Sequence, residues 1–328
     1  MLRRRPLALL FATLLLAAAA LDCRKKPLPV PGARKVLLVG IDGADWSVIN
    51  PLIAAGRLPT LARLKAAGQT ATLVATPPLV SPLLWTTIAT GRPPDEHGVL
   101  DFMVDLPGGG QAPVGSAQRK APALWTLFSS ADRKVAVVGW WASWPAEPVR
   151  GTIVSDQVAP QLVRPVPDLG AGLISPASAA PPLLALLVQP EQARLELLEK
   201  FAPVSAAERQ AAFDEARGGA TRFYANRTAH LAAILAGTYT YMAMTEQLLK
   251  DPQPDFTAVY LEAVDSISHR FVGDPASGRR AIEQAYVEVD TVLGRIAAAA
   301  APDTWVIVCS DHGFHPPDAG LQEDPAEL

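Results

Sequence analysis

Asp42, Asp265, His269, Asp311 and His312 are the residues whose types and spacing could do chemistry together in this chain. Carboxylate oxygen and imidazole nitrogen are the donors that zinc and similar divalent cations take. Asp265 precedes His269 by four residues, which puts both on one face if the segment is helical. Asp311 and His312 are adjacent and converge only if the chain turns sharply after the strand, which Gly313 permits. Each piece also has a plainer reading. Asp42 with Gly43 is a turn signal, Asp265 and His269 suit a solvent-exposed pair, and Asp311 could cap a helix beside a surface histidine.

The elements that must position these residues favour the metal. An apolar run precedes each cluster: KVLLVGI (35–41) before Asp42, FTAVYLEA (256–263) before Asp265, and TWVIVCS (304–310) before Asp311. KVAVVGW (134–140), GTIVSD (151–156) and TATLVAT (70–76) read as further strands. Continuous apolar strands separated by helical text predict a doubly wound α/β fold, a mostly parallel sheet sandwiched by helices. In such sheets ligands bind beyond the carboxyl ends of the strands, so three like clusters at three strand ends point to one metal site. From about residue 163 to 252 a Pro/Ala-rich connector and charged helical text predict a helical insertion. A helix over about 278–300 feeds the last strand.

A nucleophile is available in TPPLVSPLLWTTIATG (76–91), where Ser81 precedes Pro82 at the start of a helix. Free backbone N–H groups there favour an anion such as a phosphate, and a divalent ion lowers the pKa of a bound hydroxyl. Ser81 could equally be an N-cap and nothing more. Trp140, Trp141 and Trp144 cluster after a strand, as a wall for a leaving group or as core and rim.

These segments resemble the alkaline phosphatase superfamily and, within it, the type I phosphodiesterase and nucleotide pyrophosphatase family. The likeness rests on VLLVGIDGADW (36–46), PTLARLKAAG (59–68), SPLLWTTIATGRPPDEHGV (81–99), YLEAVDSISHRF (260–271) and VIVCSDHGF (306–314), in that order. It implies an alkaline-phosphatase-like catalytic domain over 34–328 and two divalent ions, zinc first and manganese second. Asp42, Asp311 and His312 would hold one ion and Asp265 with His269 the other. Ser81 would attack in line to give a phosphoserine, which water then hydrolyses. The implied substrate is a small-molecule phosphoester, with a diester or pyrophosphate preferred.

Departures from the family pattern narrow this. Nucleotide pyrophosphatases place an Asn three residues after the nucleophile, where this chain has Leu84, leaving that position a weak substrate contact. The family's last metal-binding histidine has no counterpart after His315, so His315 is the candidate substitute and the chain reads as C-terminally incomplete. Trp85 stands where a sulfatase would carry the Arg of its maturation motif. A phosphomonoesterase or sulfatase of the superfamily, or a non-catalytic envelope lipoprotein on the same scaffold, are the competing functions.

Composition sets the outer bounds. With 49% hydrophobic and 19% charged residues the chain carries ample core material, which excludes disorder for most of it. A net charge of -3 and a pI near 6.0 give no electrostatic reason to expect a nucleic acid polymer. Residues 1–23 have a basic start and a following apolar run, which reads as an export signal, with Cys23 as a candidate lipidation site. The expected location is therefore the periplasm or the cell envelope, with membrane contact only through this segment.

Overall fold

The structure, a computed structural model, describes residues 34–106, 108–159, 172–216, 224–250 and 252–314. The leader, Cys23 and His315 lie outside the described residues. Strand β1 (Val36–Ile41) is followed by helices α1 (Trp46–Ala54), α2 (Pro59–Ala67), α3 (Ser81–Thr90) and α4 (Pro94–His97). A small antiparallel hairpin, β2 (Met103–Asp105) with β3 (Gln111–Pro113), stands outside the main sheet. Helix α5 (Leu124–Ser130), strands β4 (Val135–Val138) and β5 (Gly151–Val154), and the two-residue strand β6 (Ile174–Ser175) come next. Helices α6 (Ala180–Leu184), α7 (Leu195–Phe201), α8 (Ala206–Ala216) and α9 (Arg227–Leu248) fill most of the stretch before β7 (Phe256–Leu261). Helices α10 (Ala263–Phe271) and α11 (Gly278–Ala299) then lead into β8 (Trp305–Cys309).

The main sheet runs β6-β5-β4-β7-β1-β8, all parallel except β6, which pairs antiparallel with β5. β1 lies between β7 and β8 in matched register, with Ile41 opposite Leu261 and Gly40 opposite Cys309. The three strands that precede the acidic clusters are thus side by side and end at one level. Side chains alternate between two cores, as a strand period of two requires. Leu37, Val39, Ile41, Val259 and Leu261 join the core under α9 and α11, while Leu38, Phe256, Ala258 and Tyr260 join the opposite one with Trp85, Trp125 and Trp140.

Local signals set most boundaries. Gly91 ends α3 in the left-handed conformation at φ 62°, and Asn226 caps α9 by accepting from the Thr228 and Ala229 amides. One cap comes from far away: the Asp290 carboxylate on α11 accepts from the Thr60 and Leu61 amides at the head of α2.

One sequence expectation changes. Residues 70–76 form no strand, and Leu73 and Val74 are exposed. A β-branched run suits a pleated surface only where a neighbour pairs with it, and no described strand does so. Among the described residues β8 is an edge strand, and its Trp305 and Ile307 are exposed. No helix among the described residues is long and apolar enough to cross a membrane.

Candidate metal centre and nucleophile

Asp42 leaves the end of β1 and is 1% exposed. A carboxylate so buried must find donors, and it finds two. Trp85 Nε1 donates to Oδ2 at 3.0 Å, and the Tyr260 hydroxyl donates to the same oxygen. Gly40 makes the first contact feasible: a Cβ there would lie 2.5 Å from the Trp85 ring, so only glycine lets the indole lie against β1. Oδ1 is left without a hydrogen bond and stands 3.3 Å from His312 Nε2.

Asp265 sits in the first turn of α10, directly after β7. The segment is helical, so Asp265 and His269 share a face, with Nε2 of His269 3.4 Å from Asp265 Oδ1. Gly43, at φ +68°, brings the β1 turn within 3.0 Å of the Asp265 Cβ as measured from an added Cβ, so neither the conformation nor the space admits a side chain. Tyr286 of α11 braces this turn, accepting from the Asp45 amide at 3.0 Å and donating to the Gly43 carbonyl at 3.3 Å.

The chain bends at Asp311 and His312 directly after β8. Gly313 does not adopt a positive φ. The turn is held by Ser310, whose hydroxyl donates to the His312 carbonyl at 2.7 Å and accepts from the Ala44 amide at 2.8 Å. One side chain therefore ties the β8 turn to the β1 turn. His312 Nδ1 lies 3.2 Å from the Gly313 carbonyl. As a donor there, Nδ1 leaves Nε2 to face the carboxylates, at 3.7 Å from Asp311 and 3.9 Å from Asp265.

Asp42, Asp265 and His312 thus offer three ligand atoms within 4.8 Å of one another. This trio crosses the division implied by the resemblance, which put Asp265 with His269 alone. Asp42 Oδ1, Asp265 Oδ1 and both oxygens of Asp311 are buried without a hydrogen-bond partner. Buried orphaned carboxylate oxygens are costly unless a cation or proton meets them. Burial and the Asp42 charge push the Asp311 carboxyl upward. Burial would lower His312, but the surrounding carboxylates outweigh it and hold the imidazole well above its usual range. Burial also acts to raise Asp42, and the neighbouring His312 imidazole together with the Tyr260 and Trp85 donors overcomes it and lowers it. A divalent cation fits this donor set: hard oxygens, one imidazole nitrogen and an excess of negative charge.

Ser81 begins α3, and the capping position is Val80, with no side-chain capping bond. Ser81 is therefore not the helix cap that a plainer reading allowed. It is 8% exposed. Trp85 is four residues further on the same helix face, and its bond to Asp42 ties α3 to the acidic cluster. Pro82 has no amide hydrogen and Ser81 and Leu83 have no intrahelical acceptor, so this helix start can meet an anion.

The remaining predicted contacts separate. Leu84 is buried at 6% exposure and offers a substrate nothing. Trp140 is core, donating to the Trp85 carbonyl at 3.1 Å. Trp141 is partly exposed and meets the Tyr260 and Phe102 rings edge-on. Trp144 is held by its backbone, its carbonyl accepting from the Ser116 amide and its amide donating to Asp156. His97 is fully buried and joins α3 to α4 through Thr87 Oγ1 at 3.0 Å.

Sequence reasoning missed Trp85, Tyr260 and Ser310. Trp85 carried one signal, its four-residue spacing from Ser81; Tyr260 and Ser310 carried none, because only the strand order makes them neighbours of Asp42 and Ala44.

Comparison with known proteins adds a family and a fold. A family model described as type I phosphodiesterase / nucleotide pyrophosphatase matches residues 36–322. Phosphonoacetate hydrolase from Sinorhizobium meliloti 1021, in complex with phosphonoformate, is 19% identical with a TM-score of 0.50, covering 86% of this chain and 56% of its own. Murine ectonucleotide pyrophosphatase / phosphodiesterase 5 is 14% identical with a TM-score of 0.48, covering 85% of this chain and 57% of its own. The chain spans little more than half the length of these structures. No curated protein matches it. At 19% identity the hydrolase shows the fold, a mostly parallel α/β sheet flanked by helices.

Proposed function

The chain belongs to the type I phosphodiesterase / nucleotide pyrophosphatase family, and from that premise we propose that it is a metal-dependent phosphoester hydrolase, with diesters or pyrophosphates as its substrates. The observation that carries this reading is the convergence of Asp42, Asp265 and His312 within 4.8 Å, beside the helix that begins at Ser81.

Asp42, Asp311 and His312 would hold one divalent ion and Asp265 with His269 a second, zinc by preference given the nitrogen and oxygen donors. When bound, such ions neutralise the entering and leaving oxygens and favour the ionised form of a serine hydroxyl. Ser81 Oγ attacks phosphorus in line; the Oγ–P bond forms, the P–O bond to the leaving group breaks, and a phosphoserine results. Unpaired amides at the head of α3 receive the phosphoryl oxygens. Water then cleaves the Oγ–P bond and restores Ser81. The leader-like residues 1–23 support export to the periplasm or anchoring to the envelope, with no membrane contact elsewhere.

Ser81→Ala tests the assignment. Hydrolysis of bis-para-nitrophenyl phosphate should fall by at least about a thousandfold, while zinc binding measured by calorimetry stays. Undiminished turnover would show that Ser81 is not the nucleophile.

A further inference from the structure

Four of the eleven exposed large hydrophobic residues among the described ones fall within seven positions: Leu100, Phe102, Met103 and Leu106, on and just before the β2–β3 hairpin. The hairpin strands pair only with each other. Scattered apolar residues on a surface need no explanation, but a contiguous group does. This group is joined to the metal centre by a series of rings. Phe102 meets Trp141 edge-on with centroids 5.6 Å apart, Trp141 meets Tyr260 at 6.1 Å, and the Tyr260 hydroxyl donates to Asp42. Trp141 follows β4, so it stands at the same carboxyl edge of the sheet as the acidic clusters. Its indole Nε1 is buried and has no hydrogen-bond partner, a donor in want of an acceptor.

Charge narrows what the rings can receive. Between Arg92 and Arg119 the chain has no Lys or Arg, while Asp95, Glu96, Asp101 and Asp105 are all acidic. An anionic bilayer surface would be repelled here. A neutral apolar group attached to a phosphate held at the metal centre would not.

Resting on the hydrolase reading above, we propose that Phe102 and Trp141 form a wall for an apolar ester group, which makes phosphodiesters of apolar alcohols the preferred substrate class. Phe102 is the specificity-determining residue of the pair, because it is the more exposed ring and leads into the apolar hairpin.

The test compares methyl and octyl para-nitrophenyl phosphate, which share a leaving group and differ only in the second ester, using the full chain with zinc. The kcat/KM ratio of octyl to methyl should be about tenfold or more, the equivalent of burying about two methylene groups. Phe102→Ser should bring that ratio toward one, and Phe102→Leu should retain most of it. A ratio near one in the parent protein, or a ratio untouched by Phe102→Ser, overturns the proposal. If neither ester is hydrolysed, the hydrolase reading fails and the wall is judged by binding alone. Octylphosphonate should then quench tryptophan fluorescence at about tenfold lower concentration than methylphosphonate, and equal affinity overturns the wall.

Discussion

Asp156 shows what burial does to a carboxylate that no cation relieves. It lies just past β5 at 8% exposure. Oδ1 accepts from Ser143 Oγ at 3.2 Å and from the Trp144 amide at 2.9 Å, while Oδ2 has no partner. Burial outweighs these donors and pushes the carboxyl up to about 6. A folded-state pKa above the unfolded value of about 3.9 means that the proton is bound more tightly in the native state. Its contribution to stability is therefore full below about pH 4 and is lost as pH rises through about 6. The loss should be on the order of 2–3 kcal/mol. Urea midpoints measured from pH 4 to 7 should fall less steeply in Asp156→Asn than in the parent, and parallel slopes would refute the assignment. Glu262, at the start of α10, is raised in the same way, to about 7, by burial and the Asp42 charge. Side chains of this kind are invisible in a sequence. Asp156 in GTIVSD reads as any strand-end acid, and only its packing against the Ser143 turn separates it from the others.

The strands explain why some of the site could be read in advance and some could not. Asp42, Asp265 and Asp311 each follow an apolar run long enough to be a buried parallel strand, and the carboxyl-end rule needs nothing more. The order β7-β1-β8 is a long-range fact with no local signature. It decides that Asp265 and His312 both meet Asp42, and so it brings together ligands that the family resemblance divides between two ions. The turn after β8 is held by the Ser310 hydroxyl, a role that no spacing in the sequence marks. Residues 70–76 have strand composition and no pairing strand among the described residues. The contact between β1 and α3 offers a direct check on how the elements support the site. Gly40→Ala places a methyl group 2.5 Å from the Trp85 ring, and the indole must retreat from Asp42. Overpacking of this sort should cost about 1–3 kcal/mol in the urea midpoint and weaken zinc binding as Asp42 loses a donor. A variant that matches the parent in both would show that the approach of α3 to β1 does not position the carboxylate.

Taken together, the fold brings three strand ends to one level and leaves more buried negative charge there than its own donors can meet. That imbalance accounts for the orphaned oxygens of Asp42, Asp265 and Asp311, the upward shift of His312 and the need for a cation. In the proposed reading, the helix that begins at Ser81 would give the same centre a nucleophile, and the ring series out to Phe102 a side on which a substrate would rest. The account is decided by the rate of bis-para-nitrophenyl phosphate hydrolysis as zinc is added back to chelator-treated protein, run beside Asp42→Asn. Activity should be absent without metal, rise to a plateau as zinc is added, and be at least about a hundredfold lower at that plateau in the variant. Full activity in the chelated protein, or an Asp42→Asn plateau equal to the parent's, would contradict it.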